Sequence, residues 1–246
     1  NQYSRERGRV TRLVHAAARG TYLAMCEGDD YWIDPHKLQD QVGMLQKDPS
    51  LAGCFSDAWS ETDGVREPFH PLINDALRAA GGTDLDGILL ENFIPTASML
   101  MPRDRLLPPP PQLFTSPAGD WVIQVHLAKQ GRLGYLDRKT AVRRRHVGGA
   151  VSMKSMAQNT ILTAACLRSI RSMVPPVNHD RIDERIAHHH RRVLDRYLSA
   201  GDLRTARHVW STFRGQGFPW RERWRWWALI HLPALMRVYG GVRSRT

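Results

Sequence analysis

At 246 residues, with 42% hydrophobic and 24% charged side chains, the chain has the make-up of a globular fold with room for one large domain or a domain plus a helical appendage. No run of about 18 apolar residues occurs, so no spanning helix is expected, and three scattered cysteines (Cys26, Cys54, Cys166) supply neither a disulfide framework nor a zinc spacing. A reducing, cytoplasmic compartment is the simpler expectation. The net charge of +11 is uneven: residues 1–137 hold 13 basic and 18 acidic side chains, residues 138–246 hold 22 and 6. The acidic part carries clustered carboxylates, whereas the basic part suits phosphate or an anionic membrane.

In chain order, "RERGRVTRLVHAAAR" (5–19) has apolar residues at helical spacing and stops at Gly20. Residues 21–26 read as a short apolar strand. In "DPHKLQDQVGMLQKDP" a second helix is expected, with Asp34 as N-cap and Pro35 at its first position. Strands are predicted over 51–59 and 92–102, and a loop-rich stretch over 60–90. A helix over 118–131 is closed by Gly131, and "LGYLDRKTAVRRRH" supplies one or two further strands. Alternating helices and short buried strands point to an α/β sheet, in which reactive groups lie beyond the carboxyl ends of strands. From residue 151 the pattern turns helical, with a hairpin expected around Gly201 and four tryptophans crowded into 219–240. That last segment suits either a membrane-interface helix or a helix docked on the first domain.

The stretch "YLAMCEGDDYWIDPHKLQDQV" ends a strand in Glu27, Asp29 and Asp30. Such a cluster serves as an exposed loop, as a helix cap, or as ligands for a hard divalent ion whose remaining shell comes from substrate phosphates. Here the sequence resembles the family 2 glycosyltransferases, enzymes of GT-A fold: "GTYLAMCEGDDYWIDPHKLQDQV" is followed in the same order by "ENFIPTASMLMPR", "GDW" and "RRRHVGGAVS". The resemblance covers residues 8–153. It implies a GT-A-like (Rossmann-like) mixed sheet flanked by helices over 1–150, then a helical region over 151–246. It further implies an inverting transfer of sugar from a nucleotide-sugar donor to a glycan or lipid-linked acceptor of the cell envelope, with Mg²⁺ or Mn²⁺. Carried onto this chain, Asp29, Asp30 and His146 hold the metal, and Glu27, Arg143, Arg145 and His146 face the donor nucleotide. Asp120 is the general base, although an Asp ahead of "WVIQVHL" also suits a helix cap. Asn92, Thr96, Ser98 and Trp121 are candidates for the acceptor side, with Trp121 stacking on a sugar, and Gly148 and Gly149 allow a loop to close over the pyrophosphate. If "TAVRRRH" is a strand, alternation sends Arg144 away from Arg143 and Arg145.

Family members open with a strand, a Tyr-Asn turn and a helix that grip the nucleotide base, and nothing ahead of "GRVTRLVHAAARG" supplies them. An N-terminally truncated domain is therefore expected, and an inactive remnant serving as a binding or scaffold module is the alternative reading. A partner of anionic membrane is anticipated for the basic tail, giving a peripheral location at the inner face of the plasma membrane. Nucleic acid is not expected, because no recognition motif accompanies the sequence pI of 10.2. "HHH" at 188–190 spreads around a helix and is not expected to share one metal.

Overall fold

The structure, a computed structural model, describes residues 9–146, 155–215 and 217–232. The chain divides into two compact units, residues 1–153 and 154–246.

The first unit is a mixed α/β layer. Helix α1 (Arg9–Ala17) leads to β1 (Tyr22–Ala24), and the acidic segment then joins β1 to β2 (Tyr31–Trp32). Residues 5–8 of the expected first helix lie outside the described residues. Helix α2 (Lys37–Lys47) begins later than expected: His36 is its N-cap, and Asp34 instead accepts a hydrogen bond from the His36 backbone N–H at 2.8 Å, folding the Asp-Pro corner ahead of the helix. Next come β3 (Gly53–Thr62), β4 (Val65–Pro68), α3 (Asp75–Ala80), β5 (Gly82–Thr83) and α4 (Leu85–Leu90). The stretch expected to be loop-rich therefore holds a hairpin and two short helices. Asp63 and Gly64 at the hairpin tip take φ of 50° and 81°, the pairing that an Asp-Gly turn favours. The helices are capped by Asn74 and Asp84, whose side chains accept from the N–H groups of Leu77 and Gly87.

The expected strand over 92–102 is mostly not one. A 3₁₀ turn (Thr96–Ser98) precedes a three-residue β6 (Leu100–Pro102). Pro95 has no N–H for a ladder, and its φ of −65° leads directly into the turn. After the short α5 (Arg103–Leu106) and a second 3₁₀ turn (Pro111–Phe114), α6 (Gly119–Ala128) buries seven of its ten residues. The unit closes with one 13-residue strand, β7 (Leu133–Arg145).

The sheet order is β1-β6-β3-β7-β2, with β4 on β3 and β5 on β7. Among the described residues only β3 and β7 run parallel; the other pairs are antiparallel. The β3–β7 ladder slips at Asp57, which is buried and whose carboxylate accepts from the Ala58 N–H and pairs with Lys139. The bulge thus gives a buried acid both a donor and a counter-charge, without which its burial would be costly. Phe55 is fully buried, its ring 6.0 Å from that of Phe93 and 5.3 Å from that of Tyr135.

The second unit is helical: α7 (Met156–Arg171), a 3₁₀ turn (Pro176–Asn178), α8 (His179–Ser199), α9 (Leu203–Phe213) and α10 (Trp220–His231). Ser155 and Gln158 form a reciprocal capping box on α7. The expected hairpin turns at Gly201, whose φ of 74° suits a residue without Cβ. Its core joins Val193, Leu194, Val209, Trp210, Phe213, Phe218 and Trp226. No described helix is long and apolar enough to cross a membrane.

Candidate functional site

Strand β1 is too short to carry the chain far, and it releases the acidic segment at the carboxyl edge of the sheet. The Asp30 N–H bonds back to the Glu27 carbonyl at 3.1 Å, which folds the carboxylates into one turn. Trp32 then donates through Nε1 to the Ala97 carbonyl (2.8 Å), and Gln41 of α2 donates to the Ser98 carbonyl (2.7 Å). These two bonds clamp the Thr96–Ser98 turn beside the acidic segment. From the opposite side α6 presents Asp120 in its first turn, where the aligned peptide dipoles favour a carboxylate. Ala118, not Asp120, is the N-cap of α6.

Asp120 Oδ2 accepts from Asn92 Nδ2 at 3.0 Å and from Thr96 Oγ1 at 3.4 Å. Asn92 is itself held by Gln124 Nε2 (3.0 Å), which also reaches the Ile94 carbonyl (3.3 Å). The Thr96 hydroxyl also stands beside the Glu27 carboxyl and favours its charged form, so the acidic segment and Asp120 meet across one threonine. Loss of water around the Glu27 carboxyl raises its pKa to about 7; the Thr96 hydroxyl opposes this, and the charges of Asp30 and Asp120 add to it. Glu27 nevertheless keeps substantial solvent contact, so screening trims that shift. Asp30 is also raised, first by desolvation; its bond from the Arg144 N–H opposes, and the neighbouring Asp29 charge reinforces.

On the far side of this turn His146 Nε2 lies 3.3 Å from Asp29 Oδ2. Arg144 donates from its backbone N–H to Asp30 Oδ1 at 3.0 Å, and from its guanidinium Nε to the Asp29 carbonyl. A surface cavity of about 390 Å³ is lined by Asp29, Glu61, Asp63, Arg144, Arg145 and His146.

The expected residues therefore fall into two adjoining groups. Asn92, Thr96, Glu27 and Asp120 form one; Asp29, His146 and Arg145 form the other, and Asp30 links them through its backbone N–H bond to the Glu27 carbonyl. Three expectations are corrected, those for Trp121, Ser98 and Arg144. Trp121 is only 3% exposed and donates through Nε1 to the Ile88 carbonyl at 2.9 Å, so its ring packs in the core and cannot stack on an acceptor sugar. One position along a helix turns a side chain by about 100°, which sends Trp121 inward while Asp120 turns to Asn92 and Thr96. Ser98 is likewise buried, its hydroxyl bonded to the Pro95 carbonyl at 2.7 Å. Arg143 packs against the Phe69 ring (5.6 Å to the centroid), and Arg144, expected to point away, is the arginine on the acidic turn. Beyond the last β2–β7 pair at Val142 the edge N–H of Arg144 has no ladder partner, and Asp30 supplies one. The charge of Arg143 still reaches Asp30. Gly148 and Gly149 lie outside the described residues.

Gln124 is the site residue that the pattern did not reveal, and Arg144 the one that strand alternation set aside. Gln124 sits at one helical turn from Asp120 within an apolar run, and a polar residue in that place was the available signal.

Among the described residues no group of three or more His, Cys, Asp or Glu side chains forms a ready metal cluster. What the site offers is a partial shell, the Asp29–His146 pair with Asp30 beside it, within a crowd of carboxylates that a divalent cation would neutralise. That donor set fits an oxygen-preferring ion that also takes ligands from phosphate. The three histidines at 188–190 form no such centre: His190 is fully buried and bonds through Nδ1 to the Ile186 carbonyl at 2.7 Å.

No family model matches this chain. Over 141 residues, 55% of its length, it is 37% identical to Uncharacterized protein Rv1520 and Uncharacterized protein MT1570 of Mycobacterium tuberculosis and to Uncharacterized protein Mb1547 of Mycobacterium bovis. The matched stretch covers 38% of each of those proteins, so the chain spans well under half of the relatives it matches.

Proposed function

We propose that this chain carries the catalytic face of a metal-dependent, inverting glycosyltransferase of GT-A type, acting on a nucleotide-sugar donor and a glycan or lipid-linked acceptor. The observation that carries the reading is the meeting of the acidic turn and Asp120 at Thr96. A base and an anion-handling group have to stand on either side of a sugar for direct displacement, and these two stand on either side of one residue.

In the proposed reaction Asp120 accepts the proton of the acceptor hydroxyl as its oxygen attacks the anomeric carbon. The new carbon–oxygen bond forms on the face opposite the leaving group, and the bond to the diphosphate breaks with its electron pair leaving on phosphate. Asn92 and Thr96 both donate to Asp120 Oδ2, which leaves Oδ1 for the incoming proton. Asp29, Asp30 and His146 would hold Mg²⁺ or Mn²⁺, whose charge offsets that developing on the diphosphate. Arg144 and Arg145 line the neighbouring cavity and add donors suited to phosphate oxygens.

The test is release of nucleoside diphosphate from a panel of nucleotide-sugars by the full-length protein with Mn²⁺ or Mg²⁺. Asp120→Asn keeps the hydrogen-bonding shape and removes the base, so turnover is expected to fall by about 10²–10⁴-fold. Undiminished turnover in that variant would refute the assignment.

A further inference from the structure

Helix α10 has two unlike faces. Trp226, Leu229 and Ile230 are buried against the helical core, and Trp226 Nε1 donates to Glu222 Oε1 at 3.1 Å. Glu222, the helix's single acid, is also gripped by Arg191 through both carboxylate oxygens, at 2.6 and 2.9 Å. The helix's only negative charge is therefore already neutralised from within the unit.

The other face holds Trp220, Trp224 and Trp227, exposed by 67%, 63% and 40%. Their spacing of four and three residues sets them in one stripe. The rings of Trp224 and Trp227 meet edge to face at 5.8 Å, Trp227 stacks on His231 at 5.1 Å, and the Arg221 guanidinium lies 5.3 Å over the ring of Trp220. By helical rotation Arg223 flanks one side of the stripe, and Arg221 with Arg225 flanks the other; all three are exposed. Three adjacent solvent-facing tryptophans form a patch that a lone surface aromatic does not. Residues 154–246 as a whole carry 17 basic and 6 acidic side chains.

We infer that this stripe docks on an anionic lipid surface. Indole rings settle at the headgroup level, with an apolar body toward the acyl chains and an N–H toward water, and the arginine rim then meets lipid phosphates. A planar layer of one negative sign matches a convex helix with cations on both flanks. A second copy of this chain matches it poorly, because a two-fold contact would press one arginine rim against another. The inference stands apart from the transfer reaction and is read without any turnover.

Full-length protein is co-sedimented with vesicles of phosphatidylcholine plus phosphatidylglycerol and, separately, of phosphatidylcholine alone, while tryptophan emission is recorded. Binding to the mixed vesicles with a blue shift is expected, weakened by salt. The triple variant Trp220→Ser, Trp224→Ser, Trp227→Ser is expected to lose affinity by about tenfold or more, with an unchanged circular-dichroism melt because these side chains are exposed. Arg221→Gln with Arg225→Gln is expected to lose on the order of tenfold or more and to flatten the salt dependence. Wild-type binding by the triple variant, equal binding to the uncharged vesicles, or a solution dimer that the triple variant dissolves would each overturn the inference.

Discussion

Lys37 allows a sharp test of how the site is braced. It opens α2 and is 1% exposed, with Nζ donating to Gln41 Oε1 at 2.8 Å and lying 4.5 Å from the Trp32 ring centroid. Gln41 and Trp32 are the residues that clamp the Thr96–Ser98 turn. Burial lowers the Lys37 pKa from 10.5 to about 8. The sign follows from which state holds the proton. Below pH 8 the ammonium is charged in both states, and the native state bears the desolvation cost. Above about 8 the native state releases the proton while the unfolded chain keeps it up to 10.5. Stability from this group is therefore lacking at neutral pH, grows as pH rises through the folded pKa, and levels off near the unfolded one. At about pH 10 the gain over neutral pH is roughly 2–3 kcal/mol. Lys37→Met removes this gain and also leaves Gln41 Oε1 without its donor, at a cost of about 1–2 kcal/mol that does not vary with pH. Urea unfolding of both proteins from pH 7 to 10, followed by tryptophan emission, separates the two effects, since other titrating groups cancel in the difference. Because the variant also sheds the desolvation cost, wild type should be weakest relative to it at pH 7 and gain on it by roughly 2–3 kcal/mol towards pH 10. Parallel curves would show that Lys37 is not charged and desolvated in the fold, and the reasoning would fail.

His190 titrates with the opposite consequence. It is fully buried, stacked at 3.7 Å on Phe213, and burial lowers its pKa to about 4. Its contribution is complete above the unfolded value of 6.5 and is lost as pH falls toward 4, so His190→Phe should blunt the acid destabilisation of the helical unit by about 2–3 kcal/mol, measured by urea melts at pH 7 and pH 4.5. Asn92→Ala, which removes one of the two donors to Asp120 Oδ2 and one of the two acceptors of Gln124, is expected to lower turnover by about tenfold while costing roughly 1–3 kcal/mol of stability; an unchanged rate in a folded variant would remove Asn92 from the site. A Cβ on Gly131 would sit 2.4 Å from the Ser50 carbonyl oxygen, so Gly131→Ala should destabilise the first unit by about 1–3 kcal/mol in thermal or urea melts.

Local chemistry made a good part of this chain legible. Helical spacing located α2, α6 and the helices from α7 onward, because an amphipathic or buried helix imposes its period on the residues that form it. The acidic segment was expected at the carboxyl end of a strand, and it lies there because β1 ends at Ala24 and the chain turns before β2. Asn92, Thr96 and Asp120 were selected by motif order, and the first two each donate a hydrogen bond to the third.

What the pattern could not supply was the direction of individual side chains. Asp120 and Trp121 are neighbours in sequence, yet one meets Asn92 and Thr96 and the other the core, and only the packing of α6 on α4 decides which. Arg144 was set aside by strand alternation; the end of the β2 ladder, a fact about a partner strand more than a hundred residues away, brings it to Asp29 and Asp30. The Thr96–Ser98 turn resembles a strand in its residues and is held as a turn by Trp32 and Gln41, both distant in sequence. Periodicity and capping arise within a few residues of backbone and can be read along the chain. Which way a side chain points, and what then meets it, depends on contacts between segments far apart, and those exist only once the sheet has assembled.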